Sequence, residues 1–410
     1  MSFTLNTNKS SIITFVVVFL FIVGWRLLGV GILDISIITS CLMFIMNPRT
    51  TWRVLPNKLV FLISSMSFVI LALYVVLTTQ GLDLSLLTRS VRVPLGILGG
   101  VGLAIWCLNR GLPKETILTY IALAITLNAI FVLLMFALPS FRAIIYNLTG
   151  ALDTLNYTTT IAAGIRNPGL TYGLSQTSIF QAIGTLISLH IFRAVGTNNK
   201  TKMLMLVFVV VNTISCFFIG RAGLLLSIVF IALYGVTNVK RLIVLAGLVI
   251  LVLFYYFSFT SELEKEEVKV QVERAEEIIN VLQGESTNTT ENMEDMFHLP
   301  EGVSSIIGGY GMGRSEYFYT DSDVGYVRII YAVGVLGLIL YMLNMAYVLL
   351  SVDKGVLKIS EPFLIISVVF FVLNFKELFF YSRNIWQAYC VLFGLSVVYM
   401  NGRLKGEREY

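Results

Sequence analysis

The chain has 410 residues, of which 57% are hydrophobic and only 13% are charged, and its formal net charge is +5. Soluble domains carry about 25% charged residues, so this composition excludes an ordinary soluble protein. The small net charge argues against nucleic-acid partners, and the sequence has no GxxxxGK[ST] loop for a nucleotide and no HExxH motif for a metal. We therefore expect neither a cofactor nor a metal.

Apolar runs of about 20 residues recur along the chain, and each is long enough to cross a bilayer as an α-helix. The sequence therefore predicts an all-α polytopic membrane protein. We expect the first run to be retained as a helix, because no small-residue cleavage site follows it. The twelve predicted spans are residues 11–24, 28–46, 58–79, 89–109, 115–138, 177–195, 202–219, 222–237, 240–259, 323–350, 360–380 and 384–401.

Lysine and arginine in the short loops predict the orientation, because these residues accumulate on the cytoplasmic side. They cluster between spans two and three, four and five, six and seven, eight and nine, and ten and eleven, and again in the tail. This alternation places both termini in the cytoplasm. Residues 1–259 then hold nine spans with an outer segment near 139–176, residues 260–322 form one large outer loop, and residues 323–410 hold three spans and the tail.

The large outer loop opens with an amphipathic stretch at residues 268–282, whose apolar residues recur at helical spacing. This stretch fits a solvated helix that packs on the rest of the loop or on the membrane surface, or one that contacts a lipid-linked substrate. Aromatic residues follow near 310–319 and suit either an interfacial belt or stacking on sugar rings.

Basic residues on the predicted outer side are mainly arginines. Arginine suits phosphate because its planar fork donates two parallel hydrogen bonds. Arg166 lies in the glycine-rich stretch 164–178, Arg221 in a tight turn, and Arg328 about one turn inside a span. Each is either a side chain that reaches the headgroups as an anchor or a ligand for an anion. The ten outer arginines are Arg26, Arg89, Arg92, Arg142, Arg166, Arg221, Arg274, Arg314, Arg328 and Arg383.

Acidic residues close to Arg314 and Arg328 are candidates for proton transfer. Asp321 and Asp323, with Glu316, could remove a proton from a sugar hydroxyl that attacks an anomeric carbon, or could be solvated loop acids. His298 is an alternative base or a surface residue. Arg383 and the neighbouring pair Lys376–Glu377 form a further charged patch, for which a structural ion pair is the simpler interpretation.

Three motifs carry a resemblance to a known family. They are "GIRNPGLTYG" at 164–173, "GRAGLL" at 220–225, and "DVGYVRIIYAVGVLGLIL" at 323–340. With the layout of about twelve spans and a large outer loop before the last three, the chain resembles bacterial O-antigen polymerases of the Wzy class, within the O-antigen ligase and polymerase superfamily.

The resemblance implies a GT-C-like glycosyltransferase of the bacterial inner membrane, with the large loop in the periplasm. Such enzymes join oligosaccharide repeat units carried on undecaprenyl pyrophosphate, within the lipid bilayer and with a chain-length regulator protein as a further partner. Arginines in two outer loops matter in that family, and the matching positions here are Arg166, Arg221, Arg314 and Arg328. Together with the residue patterns above, we predict that the catalytic residues are Asp323, Arg328 and Asp321. The predicted substrate-binding residues are Arg166, Arg221, Arg314, Tyr326 and Tyr172.

Two other functions stay open at this point. A superfamily ligase would transfer finished glycan to another acceptor, but His298 does not lie in a matching pattern. A lipid-linked oligosaccharide flippase should carry charges along a central cavity, whereas the charges here lie mainly at the predicted outer edge. No internal repeat of the kind common in transporters is evident.

Overall fold

The computed structural model describes 14 stretches or single positions of the chain, and all structural statements below concern them. These are residues 9–25, 34–78, 84–149, 167–171, 173–194, 199–235, 296–300, 302, 306, 308–309, 322, 324–352, 357–375 and 382–404.

Every secondary-structure element of more than one residue in this part of the chain is an α-helix. The apolar runs dictate this, because a helix satisfies its backbone hydrogen bonds internally where lipid offers no partner. In chain order the helices are α1 Lys9–Val23, α2 Ile35–Met46, α3 Pro48–Val54, α4 Lys58–Thr78, α5 Leu84–Asn109, α6 Lys114–Ala137, α7 Pro139–Thr149, α8 Leu174–Ala194, α9 Asn199–Ile219, α10 Arg221–Gly235, α11 Gly325–Leu350, α12 Leu357–Leu373 and α13 Arg383–Leu404.

The chain is a helical membrane protein. In the described residues, five helices are long and apolar enough to cross a bilayer. Shorter apolar helices accompany them, including Ser11–Val23, Ile35–Met46, Arg221–Tyr234 and Glu361–Leu373. The five long spans are Lys58–Thr78, Leu86–Asn109, Lys114–Ala137, Asn199–Ile219 and Gly325–Leu350.

Helix bounds follow the hydropathy closely at α4, α6 and α9, where the predicted spans differ from the structure by three residues or fewer. α5 differs, because it begins at Leu84 and not at residue 89. The apolar residues before Arg89 extend the helix, so both Arg89 and Arg92 lie inside it. The short helices α3 and α7 occupy stretches predicted as loops, whereas the predicted span 240–259 lies outside the described residues.

The chain divides into two compact units, which are described separately. Unit 1 comprises Met1–Ser36 and Leu112–Glu285. In unit 1, α8 packs against α6, α9 and α10, and α6 also contacts α1 and α7. A Cβ on Gly184 of α8 would lie 2.6 Å from Ile125 of α6 and 3.0 Å from Asn212 of α9, so this glycine allows three helices to meet closely.

Unit 2 comprises Ile37–Gly111 and Ser286–Tyr410. Here α4 lies between α11 and α5, and α13 packs against both α5 and α12. Asn344 of α11 fixes the first contact, because it accepts from Ser65 Oγ at 2.8 Å and donates to the carbonyl of Ser64 at 3.1 Å. Such polar contacts hold helices together where lipid removes the hydrophobic driving force.

Candidate functional site

Three of the eight predicted site residues lie within the described part of the chain. Arg221 belongs to unit 1, and Tyr326 and Arg328 belong to unit 2. The other five lie outside the described residues, and they are Arg166, Tyr172, Arg314, Asp321 and Asp323. At least one immediate neighbour in the chain is described for Arg166, Tyr172, Asp321 and Asp323, but none for Arg314.

The segment directly after Arg166 forms a tight turn. The amide of Thr171 donates to the carbonyl of Pro168 at 3.2 Å, and Gly169 has a φ of 64°. A side chain is disfavoured at that φ, and a Cβ there would lie 2.6 Å from Asn128 Oδ1. Pro168 and Gly169 therefore give this part of the motif a defined backbone conformation.

Two side chains from neighbouring helices hold this turn. Asn128 of α6 accepts a hydrogen bond from the amide of Leu170 at 2.8 Å. Tyr146 of α7 donates its hydroxyl to Asn167 Oδ1 at 3.1 Å. Burial raises the pKa of Tyr146 to about 12, although nearby Arg142 opposes this, so the phenol stays a neutral donor at physiological pH. Asn167, the residue next to Arg166, is fully buried and fixed.

A buried chain of polar side chains continues from Asn128 into the centre of unit 1. The side-chain amide of Gln181 is oriented to satisfy its neighbours. Its oxygen accepts a hydrogen bond from Asn128 Nδ2 at 2.8 Å, and its nitrogen donates to Asn212 Oδ1 at 2.8 Å. Asn212 then donates to Thr126 Oγ1 at 2.9 Å. This series of hydrogen bonds links α6, α8 and α9, and it reaches the turn through Asn128.

The corner between α9 and α10 packs on the first turns of α8. The amide of Gly223 donates to Ser178 Oγ at 3.2 Å, and a Cβ on Gly223 would overlap the backbone of Ser178. A Cβ on Gly220 would lie 3.1 Å from the same hydroxyl and 3.7 Å from Ser175. Only glycine allows this approach at position 223, and Gly220 is closely packed beside it, so the "GRAGLL" motif holds the half-buried Arg221 beside α8.

Unit 1 thus packs the "GRAGLL" motif against the first turns of α8, the helix that follows the "GIRNPGLTYG" motif. α8 begins at Leu174, directly after the turn that follows Arg166, and α10 begins at Arg221 itself. The N-terminus of each helix carries a partial positive charge from its unpaired amides. An arginine at a helix N-terminus is a residue type and position that suits a phosphate group.

The start of α11 in unit 2 holds Arg328 in a defined position. Arg328 Nε donates to the carbonyl of Ser322 at 2.8 Å, and the Ser322 hydroxyl accepts from the amide of Val324 at 3.1 Å. Ser322 is buried and lies between Asp321 and Asp323 in the sequence. Arg328 is therefore tied to the backbone of the segment that carries both predicted carboxylates.

Tyr326 connects α11 to the end of α12. Its hydroxyl donates to the carbonyl of Phe371 at 2.8 Å, and its ring meets Phe375 edge-on at 4.9 Å between centroids. Its backbone amide also donates to the carbonyl of Asn374 at 3.3 Å. The hydroxyl has a structural role, so a glycan contact at Tyr326 would use the ring.

A break in α11 lies six residues after Arg328. Gly334 has φ 69° and ψ −177°, a combination that essentially only glycine adopts. Gly309, from the loop before α11, fits against this break, since a Cβ there would lie 2.6 Å from the backbone nitrogens of Val333 and Gly334. In the same unit the His298 ring lies 5.6 Å from that of Tyr331 in an edge-on contact. This part of the predicted outer loop therefore packs on the first turns of α11.

Sequence reasoning missed several residues that shape these sites. Asn128, Gln181 and Asn212 have no motif, and only their place inside apolar runs could have indicated a polar contact between helices. Arg92 and Arg383 were expected at the membrane edge as anchors or in an ion pair. The structure buries both inside unit 2, where they are 5% and 8% exposed, which overturns the anchor interpretation.

No protein-family model and no curated protein matches this chain. The family resemblance therefore depends on the three motifs and the layout of the spans.

Proposed function

We propose that this protein is a membrane glycosyltransferase that polymerises oligosaccharide repeat units carried on undecaprenyl pyrophosphate. The product would be O-antigen or a related surface polysaccharide, made at the periplasmic face of a bacterial inner membrane. The proposal includes twelve membrane spans in a GT-C-like arrangement, a large periplasmic loop at 260–322 and both termini in the cytoplasm. A chain-length regulator protein is the expected macromolecular partner.

The packing of the Arg221 corner against α8, the helix that follows the Arg166 motif, carries the proposal. A rigid turn follows Arg166, and the Gly220–Gly223 corner holds Arg221 against the helix that continues from that turn. A headgroup anchor needs neither a fixed backbone nor a glycine contact, because snorkelling requires only a long flexible side chain. A clamp for a diphosphate needs both, because bidentate hydrogen bonds demand a fixed direction.

The reaction proceeds by transfer of a glycosyl group. A hydroxyl of the acceptor sugar attacks the anomeric carbon of the donor, forming a new C–O bond as the bond from that carbon to the diphosphate oxygen breaks. Asp321 or Asp323 takes the hydroxyl proton. Arginines predicted from the sequence to bind the substrate stabilise the negative charge that develops on the leaving diphosphate.

The hydrogen bond from Arg328 to Ser322 gives unit 2 its role in this proposal. This bond fixes Arg328 relative to the backbone of Ser322. The candidate carboxylates Asp321 and Asp323 flank Ser322 in the sequence. Tyr172 and Tyr326 would stack on sugar rings of the donor or acceptor.

Surface glycan length in a deletion strain tests the proposal. A strain without the gene should display glycan capped at a single repeat unit, and the wild-type gene should restore the ladder. Arg221→Ala should lower polymerisation by about 10²–10³-fold, the loss typical of removing one donor to a developing charge. Arg221→Lys should also fail to restore long chains, since lysine cannot form the bidentate contact.

Arg193→Ala is the matched control, because Arg193 is an exposed arginine at the opposite end of α8. It should restore a normal ladder. Accumulated lipid-linked polymer in the deletion strain would instead indicate a ligase, and single units trapped inside the cell would indicate a flippase. Long glycan chains in both Arg221 variants would show that Arg221 does not bind the diphosphate.

A further inference from the structure

The segment between α2 and α4 carries three cations at one edge of the membrane-spanning part of unit 2. Arg49 and Arg53 lie on the short helix α3, and Lys58 is the first residue of α4, one of the five long spans. The sequence from residue 35 to residue 82 contains no aspartate and no glutamate. Both arginines are exposed, and within the described part of the chain neither forms an ion pair. Their charge is therefore available to an anion from outside the protein.

The two arginines share one face of α3. They are four residues apart, so their side chains are neighbours on the helix surface. Thr51, two residues from each, is fully buried, which shows that the opposite face of α3 packs inward. Like charges at this spacing destabilise a helix when nothing separates them, and an anion between the two guanidinium groups removes that cost.

Three other helices of unit 2 hold this segment in place. Asn401 of α13 donates to the carbonyl of Val54 at 3.0 Å, and the hydroxyl of Tyr347 on α11 donates to the carbonyl of Pro56 at 2.7 Å. The side chain of Leu55 is buried between these two carbonyls in the sequence. The arginines therefore project from a fixed backbone and not from a loose loop.

Trp52 borders the arginine face and lies against α4. Its ring meets that of the fully buried Phe61 at 6.4 Å between centroids, in an edge-on contact, yet 37% of the residue stays exposed. Tryptophan is enriched at the level of the lipid headgroups, because its ring is apolar and its N–H is polar. Its position next to two arginines is therefore typical of a surface that meets phospholipid.

Apolar side chains continue this surface along α4. Leu59, Ile63, Met66 and Ile70 recur at spacings of four, three and four residues, and all four are exposed. Met46, at the end of α2 and directly before α3, is exposed as well. A continuous exposed apolar stripe on a membrane-spanning helix is the surface that acyl chains cover. The cations thus lie at the end of a lipid-facing surface.

We propose that Arg49 and Arg53, with Trp52 and Lys58 beside them, bind the headgroup of an anionic phospholipid whose acyl chains lie along α4. Each guanidinium fork donates two parallel hydrogen bonds to phosphate oxygens. A zwitterionic lipid is a poorer ligand, because its ammonium group would be placed among three cations. A free phosphate lacks the chains that cover the apolar stripe.

This inference does not depend on the polymerase proposal, since its readout is lipid binding and not catalysis. The first experiment measures thermal unfolding of the purified full-length protein in a neutral detergent. Phosphatidylglycerol should raise the Tm of the wild type more than phosphatidylcholine with the same acyl chains. Sodium phosphate at the same phosphate concentration and ionic strength should leave the Tm unchanged.

The variants test the two arginines directly. Arg49→Gln and Arg53→Gln should each weaken phosphatidylglycerol binding by about fivefold, and the double variant by about 25-fold, the loss expected for removing one and two cations at an anionic lipid surface. Arg110→Gln is the matched control, because Arg110 is an exposed arginine of the same unit whose guanidinium lies 4.0 Å from the ring centroid of Trp106. It should respond to both lipids like the wild type.

Tryptophan fluorescence locates the bound lipid. Phosphatidylglycerol with brominated acyl chains should quench the wild type more than brominated phosphatidylcholine at the same mole fraction. The excess quenching should disappear in Trp52→Phe and should fall in the double glutamine variant.

Three outcomes overturn the inference. The first is an equal preference for phosphatidylglycerol in the wild type and the double glutamine variant, or no preference in the wild type. The second is excess quenching that persists unchanged in Trp52→Phe. The third is a Tm increase with sodium phosphate as large as that with phosphatidylglycerol, which would indicate a site for a free anion.

Discussion

Asn128 connects the polar interior of unit 1 to the turn beside Arg166, so its removal should affect both stability and activity. In Asn128→Leu the side chain keeps nearly the same size but loses two hydrogen bonds of 2.8 Å, one from the amide of Leu170 and one to Gln181. The amide of Leu170 would then be a buried donor without an acceptor.

The expected loss of stability follows from the number of hydrogen bonds removed. Hydrogen bonds between helices in membranes contribute about 0.6 kcal/mol on average and up to about 1.7 kcal/mol. Two lost bonds therefore give a destabilisation of about 1–3 kcal/mol. For a unit of this size each kcal/mol lowers the Tm by about 2–4 °C, so we expect a decrease of about 2–12 °C.

Thermal unfolding of the purified variant and glycan length in the complemented deletion strain provide the assay. We expect a lower Tm together with shorter glycan chains. Without the hydrogen bond from Leu170, the turn no longer gives a fixed backbone directly after Arg166. Asn199→Leu, at an exposed position on α9 of the same unit, is the matched control and should change neither quantity. The reasoning is refuted if Asn128→Leu keeps the wild-type Tm and chain length, or if both variants lose equally.

Two further predictions concern unit 2. Gly334→Ala places a Cβ at φ 69° and should destabilise the protein by about 1–3 kcal/mol, measured as a lower Tm, whereas Gly308→Ala should be neutral because its Cβ would meet nothing within 4 Å. Equal Tm values for the two variants would show that the break in α11 is not strained. Tyr326→Phe loses the hydrogen bond to Phe371 and should cost about 0.5–1.5 kcal/mol by the same measurement. An unchanged Tm would show that this bond contributes nothing.

Hydropathy predicted the helical class and the spans of α4, α6 and α9, because the cost of an unpaired backbone in lipid leaves no alternative to a helix. The short helices α3 and α7 escaped prediction, since neither is long enough to cross a membrane. Each begins at a proline, Pro48 and Pro139, a position where proline favours a helix start. The amphipathic pattern of α7 was the available signal.

The candidate site was predictable only where a residue type is rare in its context. Arginine in a tight turn singled out Arg221, and the structure shows the glycine contacts that hold that turn. Burial of Arg92 could not be predicted, because the sequence of α5 does not say which face meets α13. The contact between the Arg221 corner and α8 is also long-range, and it depends on the approach of Gly223 to Ser178, which no local pattern encodes.

Extension of a defined undecaprenyl-pyrophosphate-linked repeat unit by the purified protein tests the central claim most directly. The wild type and Arg193→Ala should convert the single unit into a ladder of longer products and release undecaprenyl pyrophosphate. Arg166→Ala, Arg221→Ala and Arg328→Ala, each with a wild-type Tm, should leave the single unit unextended. Ladders of normal length and yield from all three arginine variants would contradict the diphosphate clamp.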